Sequence, residues 1–383
     1  MRIAIDYRSA LSQRVGVGRY THNLVRSLSR LDQENEYILF SFLLKGYRSR
    51  ILAASAPGSN FTLLSAPIPT RMTRFLANRL SIPIEKLIGH CDIAHFPEPY
   101  PFRSRVGKVI VTVHDVSFEL MPEMFTRDTV SIFRKQMEVV LRRADEIVAV
   151  SERTKKDLMD LYGIDCGKIH VVLHGVEESF RPMKEGEGLG EVRDRYGLPE
   201  KFVLQVGTLE PRKNHKRLLE AYRLMCEKHT AEHSLVICGK RGWLDEDIYK
   251  AAGGPGLEGK VAFTGYVSDE ELPFIYNLAS AVVYPSLYEG FGLPVIEGMA
   301  CGRPVLTSSR GAMAEVAGEA ALFVDPEDVD EMADGLRRLL YDEPLRERLI
   351  KAGLERAARF TWEETARQTL AVYRHSAVDD VYD

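Results

Sequence analysis

Two glutamates and a glycine-rich turn form the densest group of chemistry-bearing residues in the sequence. The stretch Pro285–Glu297 reads PSLYEGFGLPVIE, with Glu289 just before the glycines and Glu297 after them. A strand is predicted to end at Tyr284, and Pro294 suits the first turn of a helix. The backbone N–H groups of the turn would then face an anionic ligand. The helix dipole explains one carboxylate at a helix start, whereas two carboxylates around the turn indicate a shared ligand.

A second glycine pair lies near the N-terminus, in the sequence RVGVGRY. Gly16 and Gly18 open a predicted helix and could present backbone N–H groups to phosphate. The dinucleotide-binding fingerprint has a third glycine where this chain has Thr21. It also follows its strand directly, whereas about ten residues intervene here. Hydride transfer is therefore disfavoured, and a glycine-permitted turn without a ligand stays an open alternative.

Several single polar residues have a structural explanation beside a functional one. His114 follows a predicted strand, so it is either a hydrogen-bonded core histidine or a ligand contact. Asp328 and Asp330 form the D-x-D pattern of metal-dependent sugar transferases, but they lie where acidic residues stabilise a helix start. Three other residues lack the spacing of a metal site and are predicted to be structural: His90, Cys91 and His95. We therefore predict no metal site.

Short apolar runs alternate with helical patterns along the whole chain, which predicts mostly parallel sheets covered by helices. The first set of strands is predicted at Ile3–Ile5, Tyr37–Leu44, Ile93–Phe96, Val109–Val113, Ile147–Val150 and Ile169–Leu173. The second set is predicted at Phe202–Val206, Ser234–Cys238, Val261–Thr264, Ala281–Tyr284, Pro304–Thr307 and Ala321–Val324. The predicted class is α/β, with two tandem Rossmann-like domains and ligands at the carboxyl ends of the strands.

A polar, glycine-rich stretch separates the two sets of strands and sets the predicted domain bounds. We predict an N-terminal domain at 1–180, a linker at 181–199, a C-terminal domain at 200–360 and a closing helix at 361–383. The closing helix has one apolar face, formed by Trp362, Ala366, Leu370 and Tyr373.

Composition and charge exclude several function classes. Apolar residues make up 45% and charged residues 28% of the 383 residues, as in a soluble globular protein. The longest apolar run, Ile38–Leu44, is too short to span a bilayer. Five scattered cysteines without a C-x-x-C pair indicate a reducing cytoplasm. The net charge is +5 over residues 1–180 and −9 over the remainder. This asymmetry favours an anionic partner for the first half but is too mild for nucleic acid.

The stretch YEGFGLPVIEGMACGRPV resembles the donor-site signature of the retaining family 4 glycosyltransferases. Six further stretches support the resemblance in a similar order over almost the whole chain: VGVGRY, TVHDVSF, IVAVSERTKKDL, VGTLEPRKNH, FTGYVSDEEL and EVAGEAALFVDP. The resemblance implies the GT-B fold, in which two Rossmann-like domains face a central cleft. It also implies an acceptor-side N-terminal domain, a donor-binding C-terminal domain, and a C-terminal helix that packs back towards the N-terminal domain. The EPRKNH sequence is similar to the mannosyltransferase-like branch.

The resemblance implies a role for each of four side chains. Glu297 would bind the ribose hydroxyls of the nucleotide, and Glu289 would lie beside the donor sugar. His114 would contact that sugar near the reacting carbon. Lys213 matches the diphosphate-binding lysine of the family and would stabilise the departing nucleotide.

Other donor contacts are implied for loops and backbone groups. The family usually has an arginine five residues before the lysine; this chain has Thr208 there, and Arg212 is the candidate for the missing charge. Gly16 and Gly18 would bring the N-terminal loop against the diphosphate, and Val267 would line the base pocket. Backbone amides of the glycine-rich turn would hold sugar hydroxyls and phosphate: Gly290, Phe291, Gly292 and Leu293.

A basic segment bears on the acceptor. Arg71, Arg74 and Arg79 fall only roughly on one side of a helix at about 100° per residue, with Phe75 among them. A solvated loop or helix face explains this segment, Arg71–Leu80. The alternative is a peripheral contact with the inner face of a membrane, where a lipid-linked saccharide would be met.

These observations predict a cytoplasmic, retaining, metal-independent hexosyltransferase without a cofactor. Its donor would be a nucleoside diphosphate sugar, with GDP-mannose favoured. Its acceptor would be a saccharide or a polyprenyl-linked saccharide in polysaccharide or lipopolysaccharide biosynthesis. The same site could instead use UDP-glucose, UDP-galactose or a UDP-N-acetylhexosamine. A sugar-nucleotide epimerase or hydrolase, or a non-catalytic sugar-nucleotide-binding protein, stays open.

Overall fold

A computed structural model shows two compact units. It describes residues 1–12, 16–42, 57–66, 68, 72, 73, 75, 77, 82–100, 102–184, 186–229 and 232–378. Unit 1 consists of Met1–Pro122, Thr126–Gly175 and Thr361–Asp383. Unit 2 consists of Glu123–Phe125 and Val176–Phe360. In the described part of the chain, no helix is both long and apolar enough to cross a bilayer.

The strands, in chain order, are β1 (Arg2–Asp6), β2 (Glu36–Phe42), β3 (Phe61–Ala66), β4 (Ile93–Phe96), β5 (Lys108–Val113), β6 (Glu146–Ala149), β7 (Ile169–Val171), β8 (Phe202–Val206), β9 (Ser234–Cys238), β10 (Val261–Gly265), β11 (Ala281–Tyr284), β12 (Val305–Ser308) and β13 (Leu322–Val324). The helices among the described residues are α1 (Arg8–Ser12), α2 (Val17–Leu31), α3 (Glu85–Ile88), α4 (Ser117–Leu120), α5 (Arg127–Arg143), α6 (Glu152–Tyr162), α7 (Leu189–Tyr196), α8 (His215–Lys228), α9 (Glu246–Ala252), α10 (Leu272–Leu278), α11 (Leu293–Ala300), α12 (Met313–Ala317), α13 (Val329–Tyr341), α14 (Glu343–Ala357) and α15 (Trp362–Val378).

The described strands of unit 1 form a parallel sheet in the order β3-β2-β1-β4-β5-β6-β7. This order is that of a doubly wound Rossmann-like sheet with one further strand. Strand β3 was not among the predicted strands. It lies at an edge of the sheet and three of its six residues are exposed, so it lacks the continuous apolar run of a buried parallel strand.

Helix α15 belongs to unit 1, as the resemblance implied. Its residues Trp362, Ala366, Leu370 and Tyr373 are buried in the same core as β1 and α2. The ring of His95 connects this helix to the sheet, with Nδ1 2.7 Å from the Tyr373 hydroxyl and Nε2 2.9 Å from Thr112 Oγ1. The structural interpretation of His95 is therefore confirmed.

Unit 2 contains a parallel sheet in the order β10-β9-β8-β11-β12-β13. Strands β8 and β11 are neighbours, and the strand order reverses between them. The carboxyl ends of such a pair form the crevice where open α/β sheets bind ligands. The predicted α/β class with two tandem parallel-sheet domains is confirmed.

One predicted segment looks different in the structure, and another lies largely outside the described residues. The range 181–199, interpreted as a linker, contains helix α7, and its Val192 and Leu198 are buried in the core of unit 2. Apart from the short segment Glu123–Phe125, the chain passes between the units at Gly175–Val176 and again at Phe360–Thr361. Most of the basic segment 71–80, including its three arginines, lies outside the described residues.

Candidate active site

The candidate site lies in unit 2, on the two loops that follow β8 and β11. A 3₁₀ turn, Pro211–Lys213, leads from the first loop into α8. Asn214 ends this turn in the left-handed region, with a φ of 62°, which asparagine adopts more readily than most residues. Its amide donates to the carbonyl oxygens of Pro285, at 3.1 Å, and Pro326, at 2.6 Å. The bond to Pro285 fixes the first loop against the second, and the bond to Pro326 fixes it against the loop that follows β13.

Two cations flank a buried carboxylate where the loops meet. The ammonium group of Lys213 donates to Glu289 Oε1 at 2.6 Å, and Arg212 Nη1 lies 2.9 Å from Glu289 Oε2. Arg212 also pairs with Glu210 at 2.8 Å and donates to the carbonyl oxygen of Tyr288. All four charged side chains are at least 88% buried. Such charges are tolerated inside a protein only when they are paired and hydrogen-bonded.

Neutral hydroxyls complete the surroundings of Glu289. The hydroxyls of Tyr284 and Ser286 donate to Oε1 at 2.9 and 2.7 Å. Burial alone would raise the pKa of Glu289, but the charges of Arg212 and Lys213 and the hydrogen bonds outweigh it and lower that pKa to about 2. Burial raises the pKa of Tyr284 well above its usual value, and the Glu289 charge adds to this. Glu289 is thus an ionised carboxylate, and Tyr284 stays a hydrogen-bond donor.

The glycine-rich turn has the predicted form. Gly292, with a φ of 102°, precedes the first residue of α11, and Pro294 lies in the first turn of that helix. Phe291 is buried, with its ring edge-on to Phe360 at 5.9 Å between centroids. Pro294 has no N–H and Val295 donates its own to the Gly292 carbonyl oxygen, so the N–H groups of Gly292 and Leu293 are the candidates for binding phosphate at this N-terminus.

A glycine outside the predicted motif closes the back of this turn. Gly311 has a φ of 64°, and a Cβ there would lie 2.4 Å from the carbonyl oxygen of Glu289. The next residue, Ala312, donates its backbone N–H to the same oxygen at 2.8 Å. Only glycine combines this close approach with this backbone conformation.

The second motif carboxylate, Glu297, lies inside α11 and is 1% exposed. Its Oε2 accepts a hydrogen bond of 2.8 Å from the hydroxyl of Tyr276 on α10. Burial raises the pKa of Tyr276 well above its usual value, as does the charge of Glu297, so this hydroxyl keeps its proton. Tyr276 therefore fixes the orientation of Glu297.

The remaining residues of unit 2 that are predicted to contact the donor differ in their burial and in their partners. Val267 is 5% exposed and belongs to the core of the unit. Gly290 is buried in the turn, and Leu293 is partly buried at the start of α11. Arg212 is held by Glu210 and Glu289, so its charge is already compensated. Its proposed substitution for the arginine missing at Thr208 stays a prediction.

In unit 1 the structure connects the N-terminal glycines to His114. Gly16, with a φ of 53°, caps α2, and Gly18 is buried in its first turn. Tyr20, one turn further on, meets the His114 ring edge-on at 4.9 Å between centroids. His114 Nε2 lies 2.8 Å from the carbonyl oxygen of Pro97. A carbonyl can only accept, so Nε2 carries the proton.

Burial lowers the pKa of His114, so its imidazole is neutral and Nδ1 is an acceptor.

The D-x-D pattern has a structural role, as its position at a helix start predicts. The carboxylate of Asp328 accepts the backbone N–H of Glu331 at 2.9 Å and caps α13.

Sequence reasoning missed the residues that hold the site in place. They are Tyr276, Tyr284, Ser286, Asn214 and Gly311. Tyr284 and Ser286 lie within five residues of Glu289, and asparagine before a predicted helix is a signal for a left-handed position. Gly311 and Tyr276 carry no local signal, because their roles depend on tertiary contacts.

Comparison with known proteins identifies the class. The family model described as Glycosyltransferase Family 4 matches residues 15–180, and the model described as Glycosyl transferases group 1 matches residues 191–356. The O-antigen chain mannosyltransferase B of Escherichia coli is 32% identical over 369 residues, covering 94% of this chain and 96% of that protein. The chain belongs to the family 4 glycosyltransferases, and glycosyl transfer is its activity.

Two further comparisons cover nearly the full length. The MMP alpha-(1->4)-mannosyltransferase of Mycolicibacterium hassiacum is 30% identical, over 97% of this chain and 98% of that protein. The crystal structure of Anabaena Alr3699/HepE in complex with UDP-glucose matches with a TM-score of 0.74 at 16% identity. It covers 98% of this chain and 100% of that chain, and it supports the GT-B fold.

Proposed function

We propose that this protein transfers a hexose, mannose in the first place, from a nucleoside diphosphate sugar to a saccharide or lipid-linked saccharide. The observation that carries the proposal is the Lys213–Glu289 pair beside the N-terminus of α11. GDP-mannose is the favoured donor because two relatives that align with nearly the whole chain are named mannosyltransferases. Surface polysaccharide or lipopolysaccharide assembly is the proposed setting, because the Escherichia coli relative is named for the O-antigen chain.

Lys213 is the proposed diphosphate ligand. An ammonium group has three N–H donors, and Glu289 and Tyr284 accept two of them, each at 2.6 Å. The third can donate to a phosphate oxygen. Together with the N–H groups of α11, it would stabilise the negative charge that develops on the departing diphosphate.

Glu289 is proposed to position the sugar and the lysine and not to attack. Its Oε1 accepts a hydrogen bond from Lys213, and its Oε2 forms an ion pair with Arg212. Its pKa of about 2 makes it a weak nucleophile. We propose that the acceptor hydroxyl attacks the anomeric carbon from the face that the diphosphate leaves. The carbon–oxygen bond to the diphosphate breaks, the bond to the acceptor oxygen forms, and a diphosphate oxygen takes the proton. The anomeric configuration is then retained.

A metal ion is not needed in this scheme, since Lys213 and backbone N–H groups meet the diphosphate charge. His114 is proposed to accept a hydrogen bond from a hydroxyl of the donor sugar at Nδ1. Glu297, oriented by Tyr276, is proposed to bind the ribose hydroxyls.

The first test is isothermal titration with GDP, UDP and ADP, followed by the sugar nucleotides of the base that binds. Preference for GDP and GDP-mannose would support mannosyl transfer. Preference for UDP would keep the site and change the donor to UDP-glucose, UDP-galactose or a UDP-N-acetylhexosamine. Failure of all three nucleotides to bind would contradict the proposed donor site.

The second test is transfer from the preferred donor to a lipid-linked saccharide, with and without EDTA. NMR of the product gives the anomeric configuration. Inversion would refute the proposed face of attack, and loss of activity with EDTA that a divalent ion restores would refute metal independence. Consumption of donor at the same rate without any acceptor would favour the hydrolase or epimerase alternative.

Peripheral membrane contact through the segment 71–80 stays a proposal. Met72 and Phe75 are 52% and 51% exposed, which supports it. Sedimentation with anionic phosphatidylglycerol vesicles tests this: a Phe75→Ser variant should bind them more weakly than the wild type. Equal binding would contradict a role for the segment.

A further inference from the structure

Three metal-ligating side chains from three separate elements of unit 1 lie together outside the site described above. Glu146 opens β6, His170 lies within β7, and His375 lies in the last turns of α15. His170 Nε2 is 2.8 Å from Glu146 Oε2, and the two imidazole rings meet at 5.3 Å between centroids. One ligand atom from each residue can be chosen so that all three lie within 4.8 Å of one another.

The set of donors is the kind that binds zinc. Two imidazoles and one carboxylate leave a fourth tetrahedral position for water, and zinc bonds to such ligands are about 2.0–2.2 Å long. Ligand atoms around a tetrahedral zinc are therefore about 3.4 Å apart. The His170–Glu146 distance of 2.8 Å is below this value, and no separation in the cluster exceeds 4.8 Å. The longest separation needs to shorten by no more than about 1.4 Å.

The burial of the three residues suits the assembly of a metal site. Glu146 is 9% exposed and His170 is partly buried, so two ligands are already held by the sheet. His375 is exposed, so rotation about its side-chain bonds can close the remaining gap without a shift of the backbone.

The cluster lies at a different end of the sheet from the residues proposed for glycosyl transfer. Strands β5 and β6 are parallel, and Glu146 opens β6 beside Ile110. His114 follows the other, carboxyl end of β5. The cluster therefore lies towards the amino-terminal edge of the sheet, away from the end where ligands of such sheets bind.

We propose that Glu146, His170 and His375 bind one divalent first-row transition ion, zinc in the first place, and that this ion fastens the end of α15 to the sheet of unit 1. The three ligands are far apart in the sequence, so the bound ion would favour the folded state over the unfolded one. The ion has a structural role in this proposal and takes no part in transfer.

The simpler alternative is an ion pair between His170 and Glu146 with a ring contact to His375. Titration of the full-length, EDTA-dialysed protein with zinc chloride separates the two explanations. The proposal expects one zinc per chain, and a melting temperature that rises on zinc addition. It expects the transfer rate to be the same with and without zinc, so this test is independent of the proposed function.

Three variants locate the site. His375→Ala should weaken zinc binding about tenfold or more, and it should fold because the side chain is exposed. Glu146→Gln keeps the shape of the side chain but removes the charge, and it should weaken binding as well. His229→Ala is the matched control, since it removes an exposed histidine next to α8. It should bind zinc as the wild type does.

Spectroscopy identifies the ligands directly. X-ray absorption at the zinc edge should show the multiple scattering of two imidazole rings together with oxygen ligands. The proposal is overturned if no one-to-one binding occurs at 100 µM zinc, a concentration chosen as roughly what a weak site would need. It is also overturned if His375→Ala binds zinc as tightly as the wild type.

Discussion

Both units bury titratable side chains, but the groups differ. Unit 1 buries the histidines His95, His114 and His174, whose pKa values are all lowered by burial, and an ion pair between Arg8 and Asp6. Unit 2 instead buries the ionised Glu289 between Lys213 and Arg212. Neutral imidazoles can accept or donate single hydrogen bonds, as sugar hydroxyls require, whereas fixed charges suit a diphosphate. In this chain the fixed charges proposed for diphosphate binding therefore lie in unit 2.

Among the predicted changes in unit 2, the removal of Lys213 should have the largest effect on the transfer rate. Lys213→Ala deletes the proposed diphosphate ligand, and we expect the transfer rate to fall about 100- to 1,000-fold. Steady-state kinetics with saturating acceptor would measure this. Lys216→Ala, which removes an exposed lysine three residues later, is the control. Near-normal turnover by Lys213→Ala would break the proposed contrast between the units.

A change in charge without a change in shape should separate binding from turnover. The buried cluster of Glu210, Arg212, Lys213 and Glu289 has no net formal charge. Glu289→Gln adds one positive charge, so nucleoside diphosphate should bind as tightly as before or more tightly. Transfer should fall about 100-fold, because the sugar and Lys213 are no longer positioned. Titration calorimetry and kinetics on the same preparation would check both.

If Glu289→Gln weakened nucleoside diphosphate binding and transfer by the same factor, Glu289 would have only a structural role in the loop. Glu319→Gln, on the exposed surface of the same unit, serves as the control.

A smaller effect is expected at the tyrosine behind Glu297. Tyr276→Phe removes only the hydroxyl that donates to Glu297 at 2.8 Å. We expect the KM for the donor to rise about tenfold with kcat little changed, since a hydrogen bond to a buried charge is lost. Tyr341→Phe removes an exposed hydroxyl of the same unit and should change neither value. A fall in kcat at constant KM would argue against a role in ribose binding.

The smallest expected effect is a difference in acid stability between the units. A histidine whose pKa is lowered in the folded state is protonated more easily in the unfolded state. Its contribution to the free energy of unfolding is therefore lost as the pH falls below 6.5. The pKa of His95 is lowered by burial to about 3, so in unit 1 the loss extends from pH 6.5 towards that value. His215 in unit 2, with its pKa lowered by burial to about 4, gives a weaker effect of the same sign.

The two tryptophans allow this difference to be measured. Trp362 reports on unit 1 and Trp243 on unit 2. In urea titrations of the Trp243→Phe and Trp362→Phe variants, the midpoint reported by Trp362 should fall more between pH 7 and pH 4.5. Equal shifts at both tryptophans would contradict the contrast in acid response.

Much of the fold could be predicted because buried parallel strands are continuous apolar runs. The predicted strands of both sets match observed ones, whereas the edge strand β3 was missed because three of its six residues are exposed. Helix α7 was missed because glycines precede it and only Val192 within it is buried.

The site was less accessible to prediction than the fold. Lys213 and Glu289 are 76 residues apart, so no local pattern reports their contact. The family resemblance brought them together, while the buried hydroxyls and Gly311 emerged only from tertiary packing.

The order of the units along the chain has a consequence for synthesis on the ribosome. Unit 2 is almost one continuous stretch, Val176–Phe360, whereas the core of unit 1 includes Trp362 and Tyr373. The half that emerges first therefore cannot complete its core until after the second half has been made. We expect a nascent chain that stops at Gly175 to expose the apolar surface that α15 covers, and hence to depend on chaperones in a way that unit 2 does not.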